Sequence, residues 1–304
     1  MISYRSVTKR FADGTVAVRD FSLEVPRGSL TVLAGSSGCG KTTLMRMVNR
    51  MVDPTSGQVL VDGEDVAGRN PVALRRRIGY VMQNSGLLPH RTVAQNIATV
   101  PRLNGMDRRA ARRRTGEMMD LVGLDAQLAD RYPAQLSGGQ QQRVGVARGL
   151  AADPDILLMD EPFGAVDPLV RSELQRQLRQ LHGQIGTTIL FVTHDMDEAL
   201  ALGDQIVLLR TGAQVDQQGT PRQFVAEPAN DFVRTFLGLD RGQRTLHRER
   251  AADGSVVVVD AHGRPAGVLA EPGDQPEDQP DAGPHPGATA EAGPRPGSQD
   301  APTA

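Results

Sequence analysis

The sequence predicts an α/β protein with a parallel central sheet, a β-rich segment at its start and a helical segment inserted into it. Three observations lead to this prediction. Short apolar runs alternate with helical stretches of about 10 to 15 residues through most of the chain, which favours parallel strands joined by helices. Strand-like patterns fill residues 1–34, and residues from about 85 to 150 have a helical pattern throughout.

The first elements of the chain are predicted to be strands. Residues 16–25 alternate apolar and polar side chains, which is the pattern of a strand with one buried face. Residues 29–35 are predicted to form a short buried strand that ends in glycine, and a helix is predicted to follow over 42–51. A turn, a strand and a second turn are predicted over 54–66.

The rest of the predicted sheet lies on both sides of the helical segment. Before that segment, the patterns predict a short helix over 71–77 and a strand over 78–83. Within it and after it, helices are predicted over 96–103, 107–124, 138–154 and 169–184, and strands over 155–162 and 187–195. Together these elements predict one domain over 1–240, with a helical subdomain of about 85–150.

The structural patterns weaken after Leu239. Residues 253–269 are predicted to form two short strands around a turn. Residues 271–304 hold eight of the 20 prolines and seven acidic residues against one arginine, a net charge of −6. Because this tail has almost no apolar residues beyond alanine, it cannot bury enough surface to offset its ordering entropy, and we expect it to be disordered.

The composition excludes several classes of protein. A single cysteine excludes a framework of internal disulfides and fits a reducing compartment such as the cytoplasm. No apolar run reaches the 18 or so residues of a membrane-spanning helix, and the first residues lack the apolar stretch of a signal peptide. Residues 1–270 carry a net charge of +4, which fits a phosphate ligand but is no nucleic-acid signature. We therefore expect a chain that reaches a membrane only through a partner.

A phosphate-binding loop is predicted over residues 35–42, which match the Walker A pattern G-x-x-x-x-G-K-[ST] between a strand and a helix. Backbone amides of the loop and the helix start would bind an anion, Lys41 would reach the β- and γ-phosphates of ATP, and Thr42 would ligate Mg²⁺. A glycine-rich turn with a chance lysine is the alternative. Cys39 is interpreted as a small filler rather than a redox switch. The predicted nucleotide-binding residues here are Gly35, Ser36, Ser37, Gly38, Cys39, Gly40, Lys41, Thr42 and Thr43.

An apolar strand that ends in two carboxylates, Asp160 and Glu161, has the Walker B form. In a nucleotide site Asp160 would hold the Mg²⁺ shell, and Glu161 would polarise the water that attacks the γ-phosphate. Such a strand alone would be unremarkable. After a phosphate loop it is the expected second half of an ATP site.

A five-residue motif identifies a family. Residues 136–140 are LSGGQ, the signature of ABC ATPases, and the chain resembles that family, which has a P-loop ATPase core, over about residues 1–240. The resemblance implies that this loop, at a helix N-terminus, caps the ATP held by an opposite subunit, so that ATP joins two chains head to tail. The residues implied in this contact are Ser137, Gly138, Gly139 and Gln140.

Four further residues match markers of this family in the family's order. The resemblance implies that Phe11 stacks on adenine, although the ring could instead pack against the sheet. It implies that Gln83 senses Mg²⁺ and a transmembrane partner, that Asp167 belongs to the D-loop, and that His194 contacts the γ-phosphate. The predicted catalytic residues are therefore Glu161, His194 and Gln83, and the predicted Mg²⁺ ligands are Thr42, Gln83 and Asp160.

One phosphate loop, one signature and no fused transmembrane segment favour an importer-type ATPase subunit at the cytoplasmic face of a membrane. Residues 45–66, 78–103, 159–171 and 191–200 are similar to ATPases of osmoprotectant importers, which take up glycine betaine, carnitine, choline or proline. The resemblance implies transmembrane permease subunits, a second ATPase subunit in a homodimer and a separate substrate-binding protein as partners, and no nucleic acid. The alternatives are an importer of another small solute such as an amino acid, and a non-transport ABC ATPase.

The end of the chain departs from this subfamily. Its members often carry two CBS modules after the ATPase, whereas here only residues 255–269 resemble a strand–turn–strand fragment of such a module. We interpret residues 241–270 as a short CBS-like remnant or linker.

Overall fold

The computed structural model describes residues 1–83, 85–164, 166–240, 246–250 and 256–269, and the chain forms two compact units, Met1–Arg241 and Gly242–Ala304. The strands are β1 (Ile2–Arg10), β2 (Val16–Val25), β3 (Leu30–Gly35), β4 (Ser56–Val61), β5 (Glu64–Asp65), β6 (Ile78–Val81), β7 (Ile156–Asp160), β8 (Thr188–Thr193), β9 (Gln205–Arg210), β10 (Gln214–Gly219), β11 (Leu246–Arg250), β12 (Val256–Asp260) and β13 (Pro265–Val268). The helices are α1 (Lys41–Val48), α2 (Pro71–Arg76), α3 (Val93–Ile97), α4 (Thr99–Leu103), α5 (Arg108–Leu121), α6 (Gly138–Leu150), α7 (Pro168–Ile185), α8 (Met196–Leu202), α9 (Pro221–Ala226) and α10 (Asp231–Phe236).

The central sheet of the first unit has six strands in the order β10-β9-β3-β8-β7-β6. Every neighbouring pair from β9 to β6 is parallel, and only β10 at the edge runs antiparallel. Strands β3, β7 and β8 are buried along their whole length, which is why their sequences are continuous apolar runs rather than alternating ones. The predicted α/β class with a parallel sheet is confirmed.

The β-rich start forms a second, antiparallel sheet in the order β2-β1-β4-β5. Its inner face packs an edge-to-face pair of rings, Tyr4 and Phe21, with centroids 5.3 Å apart. The buried Tyr4 hydroxyl donates to the Leu44 carbonyl oxygen of α1 at 3.1 Å. This contact ties the antiparallel sheet to the helix that follows the phosphate loop.

The helices between the two halves of the central sheet begin at capping residues that the sequence provides. The Thr92 and Ser137 side chains close capping boxes at the starts of α3 and α6, and Asp107 accepts two backbone amides at the start of α5. Asn96 is fully buried, and its amide is satisfied because it donates to carbonyl oxygens of the preceding loop, including those of Leu88 and Arg91. These caps fix where α3, α5 and α6 begin, and all three lie within residues 85–150.

Some predicted boundaries differ from the structure. The helix predicted over 42–51 ends at Val48, because Arg50 has a left-handed backbone (φ 54°) and the Met51 amide turns back to the Arg46 carbonyl oxygen. The strand predicted to reach residue 83 ends at Val81, so Gln83 lies just beyond it. The sequence patterns also missed β9, β10 and β11 and the short helices α8, α9 and α10, which have few residues over which a period can show.

The second unit contains a three-stranded antiparallel sheet in the order β11-β12-β13. Strands β12 and β13 are the two strands predicted around a turn. Asp260 closes that turn by accepting the amides of His262 and Arg264 at 2.8 and 3.0 Å, and these bonds hold the pKa of its carboxyl below the ordinary value. The likeness to a CBS fragment stays a prediction, and the predicted disordered tail, 271–304, lies outside the described residues.

No helix in the described part of the chain is both long enough and apolar enough to cross a membrane.

Candidate functional site

Several of the predicted ATP-site residues gather at one edge of the central sheet, where the parallel strands β3, β7 and β8 end. Strand β8 lies between β3 and β7, with Leu33 paired to Val192 and Asp160 paired to Val192 from the other side. Gly35 closes β3, Asp160 closes β7, and His194 follows β8 directly. The carboxyl edge of a parallel sheet is where α/β proteins place their ligands.

The phosphate loop owes its shape to glycines. Gly40 has a φ of 112°, and a Cβ there would lie 2.5 Å from the Ala17 carbonyl oxygen, so no other residue fits without moving β2. Gly35 is equally restricted, because a Cβ there would lie 2.3 Å from the Leu209 carbonyl oxygen. The intervening residues Ser36, Ser37 and Gly38 are exposed, which leaves this part of the loop open to an anion ahead of α1.

Lys41 is buried inside this loop with only 4% of its surface exposed. Its ammonium donates to the carbonyl oxygens of Gly35 at 2.7 Å and Ser36 at 2.8 Å, and it lies 3.8 Å from the Cys39 sulfur. Cys39 is fully buried, in keeping with its interpretation as a filler. A charge this deeply buried needs anionic or polar partners, and the loop surrounds it with them.

Two of the three predicted Mg²⁺ ligands, Thr42 and Asp160, meet although 118 residues separate them in the chain. The Thr42 hydroxyl donates to Asp160 Oδ1 at 2.9 Å. A hydroxyl and a carboxylate are hard oxygen donors of the kind that Mg²⁺ prefers alongside phosphate oxygens and water.

Two neighbours of Asp160 were missed by the sequence analysis. The Tyr80 hydroxyl lies 3.3 Å from Asp160 Oδ2, and the Arg46 guanidinium lies 3.8 Å from the same oxygen. Burial, followed by the negative charge of Asp160, raises the pKa of the Tyr80 hydroxyl, which therefore stays protonated and able to donate at neutral pH. No local signal marked Tyr80, because only the pairing of β6 with β7 brings it to Asp160.

Glu161 and His194 form a pair at the opening of the site. The His194 Nδ1 atom lies 3.1 Å from Glu161 Oε2, and the histidine side chain is 59% exposed against 21% for the glutamate. Glu161 has a left-handed backbone with φ 44°, which costs a non-glycine residue about 1 kcal/mol or more. Its amide donates to the Val192 carbonyl oxygen at 2.9 Å, and this bond holds the turn that aims the carboxylate.

Gln83 lies beside the same turn. Its side chain is exposed and faces Gly164, where an added Cβ would lie 3.3 Å from Gln83 Nε2. The backbone amide of Gly164 in turn donates to the Glu161 carbonyl oxygen at 3.2 Å. The structure thus places Gln83 beside the backbone turn that follows Glu161.

Phe11 is 40% exposed in the turn between β1 and β2. The Lys9 ammonium lies 5.3 Å from the centre of its ring, a cation–π distance. The start of β2 borders the phosphate loop, since a Cβ added at Gly40 would lie 2.5 Å from the Ala17 carbonyl oxygen. The ring is therefore an open aromatic surface on the hairpin that borders the loop, rather than a core residue.

The signature residues are held in a different part of the molecule. Ser137 caps α6: its hydroxyl accepts the Gln140 amide at 3.2 Å, while the Gln140 side chain accepts the Ser137 amide at 3.0 Å. Gly139 abuts Val170 near the start of α7, leaving no room for a Cβ. Among the described residues, no hydrogen bond joins Ser137–Gln140 to the phosphate loop.

Asp167 has a capping role that the sequence analysis did not assign. It is the exposed N-cap of α7, and its side chain accepts the Leu169 amide at 3.0 Å. Like the signature residues, it makes no recorded contact with the phosphate loop within the described residues. The structure therefore assembles the phosphate loop, Asp160, Glu161, His194 and Gln83 and leaves Ser137–Gln140 and Asp167 apart from them.

Comparison with known proteins identifies relatives over most of the chain. A family model described as ABC transporter matches residues 18–164. The chain is 50% identical to the glycine betaine uptake system ATP-binding protein of Escherichia coli, over 83% of this chain and 82% of that one. It is 47% identical to the glycine betaine/carnitine/choline transport ATP-binding protein of Bacillus subtilis, over 79% of this chain and 63% of that one. This chain thus spans less than two thirds of the Bacillus protein.

A solved structure shares the fold. It is a dimeric ATP-binding cassette in a post-hydrolysis state with bound ADP and Pi, 31% identical, with a TM-score of 0.66 over 73% of this chain and 99% of that one. The match covers a whole cassette.

Proposed function

The chain belongs to the ABC transporter family of ATP-binding proteins, and from this membership we propose that it hydrolyses ATP to power an importer of osmoprotectants. The observation that carries the proposal is the meeting of Lys41, Thr42, Asp160, Glu161 and His194 at one edge of the sheet. This set combines a cation for phosphate, oxygen ligands for a metal ion and a carboxylate–imidazole pair.

The phosphate loop and its neighbours bind the nucleotide. Exposed loop residues and the start of α1 present amides to the phosphates, and the Lys41 ammonium exchanges contacts with loop carbonyls for contacts with phosphate oxygens. Thr42 and Asp160 would hold Mg²⁺, with Gln83 as a further ligand, and the bound ion would neutralise charge on the phosphate oxygens. Phe11 offers its exposed ring to adenine.

Glu161 and His194 act on the attacking water. The Glu161 carboxylate accepts a hydrogen bond from the water and orients it in line with the γ-phosphate. His194, 3.1 Å from that carboxylate, fixes the orientation of Glu161 and contacts the γ-phosphate. The strained backbone of Glu161 helps to orient the carboxylate toward the water, because it turns the side chain out of the strand direction.

The complete site needs two chains. Ser137–Gln140 offer a helix N-terminus away from this chain's own phosphate loop, and we propose that they cap the phosphates bound by a second copy. Asp167 would lie at the same junction. The related cassette bound to ADP and Pi is a dimer. ATP would then close the pair, and hydrolysis would let it open.

The transported solute is proposed from the relatives' names, which specify glycine betaine, carnitine and choline. The importer would consist of this ATPase pair at the cytoplasmic face of the membrane, permease subunits and a separate substrate-binding protein. The chain itself would contact ATP and the permease, and the other subunits would select the solute.

The test is uptake of labelled glycine betaine at high salt in cells whose only copy is wild type or Glu161→Gln. The variant keeps the size of the side chain and removes the carboxylate, so we expect ATP binding to persist and hydrolysis to fall about 100-fold or more. Uptake should disappear with it. Glu227→Gln, at an exposed carboxylate after α9, is the matched control and should behave as wild type.

Two results would contradict the proposal in different ways. Hydrolysis by purified Glu161→Gln at the wild-type rate would overturn the role of the carboxylate. Unchanged betaine uptake in cells with the variant, together with ATP hydrolysis by purified wild type, would keep the ATPase and discard this class of solute.

A further inference from the structure

A buried polar cluster lies directly behind His194. Its centre is Glu198 of α8, which is 4% exposed. The Thr193 hydroxyl donates to Glu198 Oε2 at 2.6 Å, and the Gln175 amide donates to Oε1 at 3.3 Å. Burial raises the pKa of the Glu198 carboxyl, which shows how costly its charge is at this place. A residue of this kind requires a cationic partner or a functional reason.

The cationic partner is Arg171, in the first turn of α7. Its guanidinium Nε lies 3.9 Å from Glu198 Oε1, and Nη1 lies 3.5 Å from Asp195 Oδ2. The third contact is different in kind, because Nη2 donates to the backbone carbonyl oxygen of Val166 at 3.3 Å. Val166 directly precedes Asp167, which caps α7. One planar group therefore connects two carboxylates with the backbone beside Asp167.

These two carboxylates hold the backbone on both sides of His194. Glu198 accepts the hydroxyl of Thr193, and that same hydroxyl accepts the Asp195 amide at 2.9 Å. Asp195 in turn caps α8 by accepting the Asp197 amide at 2.8 Å. The residues before and after His194 are thus tied to one cluster, and a shift of that cluster would change the 3.1 Å contact between His194 and Glu161.

We propose that Arg171 is a positioning residue that makes the placement of His194 against Glu161 depend on the position of the Asp167 segment. The proposal rests on the ATPase function proposed above. When a second chain packs against Asp167, the Val166 carbonyl oxygen and the Arg171 guanidinium move with it, and the cluster carries this change to His194. Hydrolysis is then completed only when the partner is in place.

The guanidinium is well suited to this role. It presents donors in a rigid plane, so it can engage a carbonyl oxygen and two carboxylates together, whereas a lysine ammonium acts as a single point charge. Arg171 Nε is buried and makes no hydrogen bond to any described residue, which leaves it free to approach Glu198 more closely when the cluster shifts.

A double-mutant cycle in the purified protein tests the proposal. Arg171→Met, His194→Ala and the double variant are compared by single-turnover hydrolysis of labelled ATP, with nucleotide affinity and melting temperature measured alongside. We expect Arg171→Met to lower the hydrolysis rate about tenfold, the loss of a charged contact, while nucleotide affinity stays within about twofold. In the His194→Ala background the further loss should be below about twofold, because Arg171 acts through His194.

Controls separate positioning from stability. Arg176→Met, one turn further along α7 on an exposed pair with Glu173, should hydrolyse ATP at the wild-type rate. If Arg171→Met unfolds, the double variant Arg171→Met/Glu198→Gln also removes the buried charge that Arg171 leaves unpaired. We expect this double variant to regain the wild-type melting temperature but not the wild-type hydrolysis rate. Arg171→Lys should remain slow despite its charge.

Equal fold-losses from Arg171→Met in the wild-type and His194→Ala backgrounds would overturn the proposal, as would a loss of nucleotide affinity with an unchanged rate. Recovery of the full rate by the charge-relieved double variant would assign Arg171 a structural role only. An inactive wild type would overturn the proposed ATPase, and this inference with it; additive losses in an active protein would overturn this inference alone.

Discussion

The carboxyl edge of the central sheet and the start of α6 both offer groups suited to phosphate, yet they are built in opposite ways. At the sheet edge, residues far apart in the chain are joined by direct contacts, as between Thr42 and Asp160 at 2.9 Å and between Glu161 and His194 at 3.1 Å. At the start of α6, the hydrogen bonds of Ser137 and Gln140 to other described residues join them to close neighbours in the sequence. Contacts between distant residues build the first region, and contacts between sequence neighbours build the second.

This difference indicates how each region would meet its ligand. At the sheet edge the buried Lys41 ammonium contacts a loop carbonyl oxygen and the Thr42 hydroxyl contacts the Asp160 carboxylate, all within one chain. The start of α6 makes no hydrogen bond with the phosphate loop among the described residues, and under the proposed function it would bind a nucleotide held by another molecule. Under the proposed function, a site divided in this way would make hydrolysis depend on assembly. The predictions below separate binding within one chain from closure between two.

Lys41→Ala should have the largest effect. It removes the only buried cation of the phosphate loop, and the loss of two or more charged hydrogen bonds predicts ATP binding weaker by about 100-fold or more. Titration with a fluorescent ATP analogue measures the change. Arg77→Ala, at the amino end of β6 on the opposite edge of the sheet, removes a positive charge as a control and should leave affinity unchanged. ATP binding by Lys41→Ala at wild-type strength would contradict the assignment of the loop.

Ser137→Arg should separate the two regions. A bulky cation at the start of α6 would obstruct a partner's nucleotide, so we expect monomers to bind ATP within about twofold of wild type but to fail in ATP-dependent dimerisation, with hydrolysis reduced about tenfold or more. Analytical ultracentrifugation in the Glu161→Gln background measures dimerisation. Gly116→Arg adds the same side chain to open space on α5 and is the control. Normal dimerisation of Ser137→Arg would refute the divided site.

Tyr80→Phe should have the smallest effect and sharpens the picture of the sheet edge. It removes the hydroxyl that lies 3.3 Å from Asp160 Oδ2, a contact of about 1 kcal/mol, so the Mg²⁺ concentration for half-maximal hydrolysis should rise about fivefold. Because the raised pKa keeps this hydroxyl protonated, the difference between the variants should stay constant across neutral pH. Tyr132→Phe, at an exposed tyrosine, is the control. An unchanged Mg²⁺ requirement would show that Tyr80 does not orient Asp160.

Elements with strong local patterns were predictable. Continuous apolar runs marked β3, β7 and β8 because both faces of these strands are buried, and the glycines and lysine of the phosphate loop marked its position between a strand and a helix. Short edge elements such as β10 and α9 were missed, since a few residues at the surface carry little periodicity. The end of α1 was placed too late, because the left-handed turn at Arg50 has no glycine to announce it.

By itself the sequence determined the groups that depend on neighbours along the chain: the glycine-dependent backbone of the phosphate loop, the capping box of Ser137 and Gln140, and the carboxylates at the end of a buried strand. Only the tertiary structure decided which distant residues meet. The strand order placed β8 between β3 and β7, brought Tyr80 to Asp160, and set Arg171 between Val166 and the cluster behind His194. The reason is physical: backbone conformation and capping act over three or four residues, whereas contacts across a sheet depend on strand pairing, which no single segment specifies.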